Sequence, residues 1–468
     1  MNPRRLFVAS CISLIASAFS FVIRQDVLPA WGRSFDLSAT HLGVIGVGAP
    51  FLGMATAMVI GSFIVDVLGM KRMLGFAFFC HLIGTVGTLA APYLAGIGAS
   101  PYLVLCVGTF LVGSANGLVE IGINPLAATI YPTEKTHRLN ILHAWWPGGL
   151  ALGGLLALAI SWLLGLGLGG AGKTPEATMF GWQVKTALIL VPMVIYGALF
   201  LLEPFPVTER VASGVSTGEM LKEAFRPMFL LWAICMMLTA STELAPQGMQ
   251  SLVLQYTAKM NGTMILIYTS SMMFVLRHFA GPIAHRFSPV GMLAGSAVLS
   301  AVGLYALSFA YDVTTAIAAA TIFGLGIAYF WPTMLGVTAE RFPRGGAFLL
   351  GLMGFVGNMS IAVVSPWMGR INDNITFAAI PQELQNQIVV QGAIDAGKVQ
   401  AQPPEQQTIV TEAQKEGAKW SFRYVSILPV ILIFVFGGIA AADRARGGYK
   451  PELIGKDELS PAELASDY

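Results

Sequence analysis

Long apolar runs constrain this chain more than any other feature. The first begins at Leu6, just after Arg4 and Arg5, and others recur as far as residue 442, separated by short stretches that carry Gly, Pro or charge. A helix needs roughly 20 apolar residues to cross a bilayer. Twelve runs qualify, near 6–31, 40–68, 73–95, 101–130, 140–167, 182–202, 226–257, 262–284, 290–311, 313–339, 346–369 and 421–442. With 55% hydrophobic and 11% charged residues, the chain lacks the polar side chains needed to cover a soluble globule. The expected fold is an all-α membrane protein of twelve transmembrane helices, with the lipid bilayer as its first partner.

The same composition removes several functions. A formal net charge of +2 supplies no basic face for nucleic acid. Cys11, Cys80, Cys106 and Cys235 all lie in apolar text without metal-ligand or CxxC spacing, so they read as packing residues and no metal is expected. The first run continues past signal-peptide length and is kept as a span. No P-loop, dinucleotide fingerprint, HExxH or nucleophile elbow occurs, which argues against an enzyme, a cofactor or ATP-driven pumping.

Basic residues in short loops favour the cytoplasm. Arg4/Arg5, Lys71/Arg72, Lys135/Arg138, Lys222/Arg226, Arg286, Arg341/Arg344 and Arg444/Arg446 share one side if twelve spans alternate, so both termini are expected in the cytoplasm and the protein in the cytoplasmic membrane. Residues 1–203 then form an N-terminal six-helix half, 204–225 a cytoplasmic linker, 226–443 a C-terminal half and 444–468 a cytoplasmic tail. Within the second half, 371–420 is a long outer loop whose Pro and Gln predict partial disorder, with short amphipathic helices near 382–396 and 407–418.

The halves repeat one another. SFIVDVLGMKR (Ser62 to Arg72) closes the second span and GPIAHRFSP (Gly281 to Pro289) the eighth, with Asp66 opposite His285. GLVEIGINP (Gly117 to Pro125) in the fourth span aligns with GLGIAYFWP (Gly324 to Pro332) in the tenth. Direct six-span repeats of this kind are a hallmark of membrane transporters.

Twelve spans in two parallel halves, with Asp66, Gly69, Lys71 and Arg72 after the second span, resemble the major facilitator superfamily. The resemblance implies the superfamily's two-half fold, monomeric alternating access, and a gating role for those four residues and for His285 and Arg286 in the equivalent loop. Glu120, Asn124 and Pro125 in the fourth span, followed by Arg138, Leu139 and Asn140, resemble the fucose permease branch of sugar–proton symporters. That branch carries a first-span carboxylate four residues before a Pro. Here the position is Gln25, with Asp26 one place nearer Pro29 and turned by about 100° on the helix.

Ionisable groups at bilayer depth cost about 2.5–3.5 kcal/mol on insertion scales, so each one present needs a partner or a task. Glu120 and Asn124 lie one turn apart and suit hydroxyl groups. Asn140, His143 and Trp146 form a stripe on the fifth span that offers an amide, an imidazole and a stacking face. Gln247, Trp331 and Asn358 are the second-half candidates for substrate contact. Arg24 and Glu243 fall opposite one another in the repeat, predicting an ion pair across the halves. Arg277 and His278 read as snorkelling residues and His81 as a packing residue.

The sequence therefore predicts a secondary transporter of a small polyhydroxylated solute such as a monosaccharide. Protons would couple through Asp26, Glu120, Glu243 or Arg24, with Na⁺ as the other coupling cation. The alternatives are an exporter of amphipathic drugs or organic anions, and a receptor or scaffold that does not transport.

Overall fold

The computed structural model describes the backbone of residues 1–167, 170–258, 262–310, 312–390, 393–452 and 454, and within them the side chains of all but 39, 247–258, 262–264, 393 and 396. Eleven helices of the described residues are long and apolar enough to cross a membrane. The first half holds α1 (Pro3–Phe35), α2 (Ala49–Leu68), α3 (Met70–Ala95), α4 (Pro101–Ile130), α5 (Lys135–Leu163) and α6 (Pro175–Leu202). The second holds α7 (Pro227–Ala258), α8 (Gly262–His278, continued by Ala280–Phe287), α9 (Pro289–Leu307), α10 (Val313–Arg341), α11 (Gly346–Ala379) and α12 (Ile427–Ala445).

Helix starts follow local chemistry. The Asn2 side chain accepts the Arg5 amide ahead of Pro3, and the Ser100 hydroxyl accepts the Leu103 amide ahead of Pro101. Gly69 sits between α2 and α3 at φ 83 and ψ 147, a conformation that a Cβ would oppose. At the equivalent place between α8 and α9, the second half uses Ser288 at φ 65 and ψ 157, and its hydroxyl accepts the Gly291 amide.

Small residues set how closely helices approach. A Cβ on Gly84 of α3 would lie 2.6 Å from the Gly108 carbonyl of α4, so these helices meet backbone to backbone. Large apolar side chains such as Phe63, Phe79, Ile83, Trp162 and Phe434 point out of the bundle, as lipid requires. The two halves touch through α5 against α8 and α10, and α2 against α11.

The 371–420 region carries more structure than its composition predicts. Helix α11 runs on to Ala379, and a short helix Gln382–Ile388, two antiparallel two-residue strands that pair Val389 with Ile394, and a helix Pro404–Val425 follow. The expected helix near 407–418 lies inside the last of these, whereas the expected 382–396 helix is Gln382–Ile388, followed by strand residues and by a separate short helix Ala396–Gln400. Ile380, Leu384, Ile388, Val410 and Ala413 bury one another in a small core of their own, which offsets the ordering entropy that Gln and Pro were taken to forbid.

Candidate functional site

The halves are joined at the end of the bundle where α1 begins and α12 ends. Asp66 accepts from the Thr208 hydroxyl at 2.6 Å and from Arg210 Nε at 2.7 Å, both in the segment linking the halves. Lys71 donates to the Leu201 and Glu203 carbonyls at the end of α6, at 3.0 and 2.9 Å. From α5, Lys135 pairs with Glu209, the Thr136 amide donates to Glu340 Oε1 at 2.9 Å, and Asn140 donates to Thr333 Oγ1 at 3.1 Å. Contact is tight enough that a Cβ on Gly336 would lie 2.6 Å from the Thr136 Cα. Arg72 and His285 are exposed, and Arg286 stacks on Phe287 at 5.6 Å.

Deeper in, Pro125 within α4 and Pro147 within α5 flank a polar network. Asn124 Nδ2 donates to Glu120 Oε2 at 2.7 Å. The Asn124 oxygen lies 2.9 Å from His143 Nε2, and since that oxygen only accepts, the imidazole donates through Nε2. His143 Nε2 is also 3.7 Å from Glu120 Oε2. An acceptor, an amide and an imidazole thus meet in a largely buried setting, a combination suited to binding hydroxyls and moving protons.

The second half answers with Arg277 of α8. Its Nη2 donates to Glu243 Oε1 of α7 at 2.9 Å, its Nε to the Ala328 carbonyl of α10 at 2.6 Å, and its Nη1 to the His143 carbonyl of α5 at 2.8 Å. The last bond crosses between the halves directly beside the Glu120 network. Glu243 Oε2 has no protein partner.

Two expectations are corrected here. Arg24 does not pair with Glu243: its Nε donates to the Gly46 carbonyl at 3.0 Å and its Nη1 to the Ser20 carbonyl at 3.4 Å, within its own half. Repeat alignment identifies equivalent positions, and equivalence carries no guarantee that the side chains meet. Arg277 does not snorkel, because it is 2% exposed and tied to three other helices. It lies nine residues before Arg286, about 13 Å along a helix, too deep for its head to reach water, and that depth is the signal that would have revealed it.

The other predicted residues are dispersed. Asp26 pairs with Lys185 of α6 at 2.5 Å, an ion pair that sequence reading missed. Trp146 packs near Phe21 with ring centres 6.0 Å apart, and Trp331 lies against Gly357 of α11. Asn358 donates to the Gly354 carbonyl at 2.8 Å and approaches Met58 across the halves. Gln247 lies outside the described side chains. His81 bonds Tyr196 and Asn116, each at 2.9 Å, as a packing histidine should. No cluster of metal-ligating side chains occurs among the described residues.

Solved structures of the same architecture include the E. coli fucose–proton symporter FucP (TM-score 0.65, 17% identity, 91% of this chain and 98% of that one). They include XylE, the proton–xylose symporter from E. coli (TM-score 0.65, 12% identity, 93% of this chain and 95% of that one). The human organic anion transporter MFSD10 also superposes, with TM-score 0.60 and 12% identity over 93% of this chain and 100% of that one. At such identities the likeness is one of fold. No curated protein sequence matches. The profile of the Major Facilitator Superfamily matches residues 5–374, and the chain is therefore a multi-pass transporter belonging to that superfamily.

Proposed function

We propose that this transporter moves a small polyhydroxylated solute, most simply a monosaccharide, by alternating access, and that a proton on Glu120 couples to the movement. The observation that carries the reading is the Glu120–Asn124–His143 network set against Arg277 where the halves meet. Among the three carboxylates the sequence offered for coupling, Asp26 is held by Lys185 and Glu243 by Arg277. Glu120 faces an amide and an imidazole whose hydrogen is directed to Asn124, so it alone lacks an Arg or Lys partner among the described residues. Taking up a proton removes a buried charge, and a solute hydroxyl that replaces Asn124 at the carboxyl would bias the halves towards one arrangement. FucP and XylE, proton symporters of sugars by their descriptions, support the substrate class.

The basic residues of the short loops favour a cytoplasmic side for both ends of the chain, and on that orientation the joined end would serve as the cytoplasmic gate. The organic-anion reading gains little, because Arg277 is already neutralised and Arg24 is enclosed in one half.

The test is sugar-induced proton movement in de-energised cells in weak buffer, over a panel of hexoses, deoxyhexoses and amino sugars. One sugar should make the medium alkaline. Glu120→Gln should abolish that signal while sugar counterflow persists. Silence across the panel together with absent counterflow would sink the sugar reading. Intact proton movement in Glu120→Gln would sink the coupling site.

A further inference from the structure

Arg24 is the one buried guanidinium in the spans that has no carboxylate within ion-pair distance among the described residues. It sits in α1 at 5% exposure, facing a cavity inside the first half that α1, α3, α4 and α6 enclose. Its two protein acceptors are backbone carbonyls, Gly46 in a π-helical turn (Val44–Gly48) and Ser20, which take up hydrogens without supplying formal charge. The Phe21 ring lies 5.5 Å from the guanidinium carbon. The nearest candidate counterion in sequence, Asp26, is committed to Lys185.

The rest of the cavity wall strengthens the case. Trp31, Thr85 and Thr186 line it and are at most 3% exposed, and their Nε1 and two Oγ1 atoms are buried without a hydrogen-bond partner in the protein. An indole N–H can only donate, and the two hydroxyls are free to donate. In a mostly apolar wall, Arg24 with its spare N–H groups, the indole and the two hydroxyls can all donate, and no group there carries a negative charge. A water molecule would satisfy hydrogen bonds there but leave the charge standing, whereas an anion answers both needs. The free space holds a particle about the size of water and is too small for a sugar or an aromatic acid.

We propose that the first half binds a halide-sized monovalent anion, chloride in the cell, between Arg24, Trp31, Thr85 and Thr186. The site lies within one six-helix unit, apart from the Glu120 network, and it neutralises the one buried guanidinium of the spans that has no carboxylate partner among the described residues. It does not depend on the sugar reading. Bound anion stabilises the folded chain and moves with the first half as a rigid body.

The experiment uses the full-length protein in detergent at constant ionic strength, with chloride or bromide replacing gluconate. The unfolding temperature should rise saturably with either halide and stay flat in gluconate. Arg24→Gln should weaken the apparent halide affinity by about tenfold or more, and Trp31→Phe and Thr85→Val should weaken it by less. Crystals grown in bromide should show an anomalous peak within hydrogen-bond distance of Arg24. A halide response that survives unchanged in both Arg24→Gln and Trp31→Phe would overturn the proposal, as would a flat wild-type response. If Arg24→Gln does not fold, Trp31→Phe and the bromide peak decide: an unaltered response, or no peak beside Arg24, rejects the site.

Discussion

Each half of the transporter buries an arginine in a span, and the two are handled in opposite ways. Arg277 is matched by Glu243 and by carbonyls from α5 and α10, so it ties four helices together across both halves. Arg24 meets only carbonyls of its own half and faces a mostly apolar cavity that offers no negative charge. A buried charge with a protein partner acts as a fastener, and removing it strands the partner. One without such a partner leaves room for a ligand.

The sharpest way to break this contrast is to remove the fastener. Arg277→Met should destabilise the protein by about 3–5 kcal/mol, because Glu243 is left charged in a dry site. Adding Glu243→Gln to that variant should recover a large part of the loss, and thermal unfolding in detergent measures both steps. A full loss in the double variant would show that the carbonyl contacts, rather than the ion pair, hold the helices.

The next effect concerns the turns that close spans two and eight. Asp66 holds Thr208 and Arg210, whereas His285 at the repeat position is exposed. Asp66→Asn should therefore weaken closure of the joined end by about 1.5–3 kcal/mol, roughly tenfold or more in the closed-to-open ratio. Faster labelling of a cysteine substituted at Thr333 reads this out, and His285→Ala should leave the rate unchanged.

A smaller effect comes from the backbone of the same two turns. Gly69 adopts its left-handed conformation without strain, and Ser288 bears a Cβ in a similar one. Ser288→Gly should raise stability by about 1 kcal/mol, the relieved strain exceeding the lost hydroxyl cap. Gly69→Ser should do the opposite, and unfolding temperatures of the two variants test the symmetry.

The smallest effect is an exposed counterpart to the buried pairs. The Ser216 amide, and then its hydroxyl, hold the Glu219 carboxyl below its ordinary value of 4.5. Because the folded group is the stronger acid, its contribution is complete above the ordinary carboxylate range and fades as pH falls through the lowered value. Amide protection in the linker helix Thr217–Glu223, corrected for the intrinsic exchange rate at each pH, should fall only in acid. In Glu219→Gln that acid step should vanish.

Much of the fold was legible because lipid imposes one rule on every span: apolar residues long enough to cross it. The Asp66 turn was legible because its residues fall at fixed places in a short segment. Contacts between spans were not. Lys185 and Asp26 meet because α1 and α6 run antiparallel and bring both to one depth, a relation that no linear spacing encodes. The Arg24–Glu243 expectation failed for the same reason, since Glu243 had a nearer partner one helix away. Spacing alone puts Glu120 and Asn124 on one face of the fourth span and His143 on another helix, and only folding reveals that the Asn124 amide bridges Glu120 to His143.

Helix α11, with 34 residues, is about 51 Å long, some 20 Å more than the hydrocarbon core of a bilayer. Its overhang is braced by helix Pro404–Val425, which packs so closely that a Cβ on Gly417 would lie 2.5 Å from the Asn372 carbonyl, and by the small core around Ile388. A two-helix mast of that length would stand clear of a detergent micelle, an epitope for an antibody fragment and a fiducial by which single particles of a 49.8 kDa chain could be aligned.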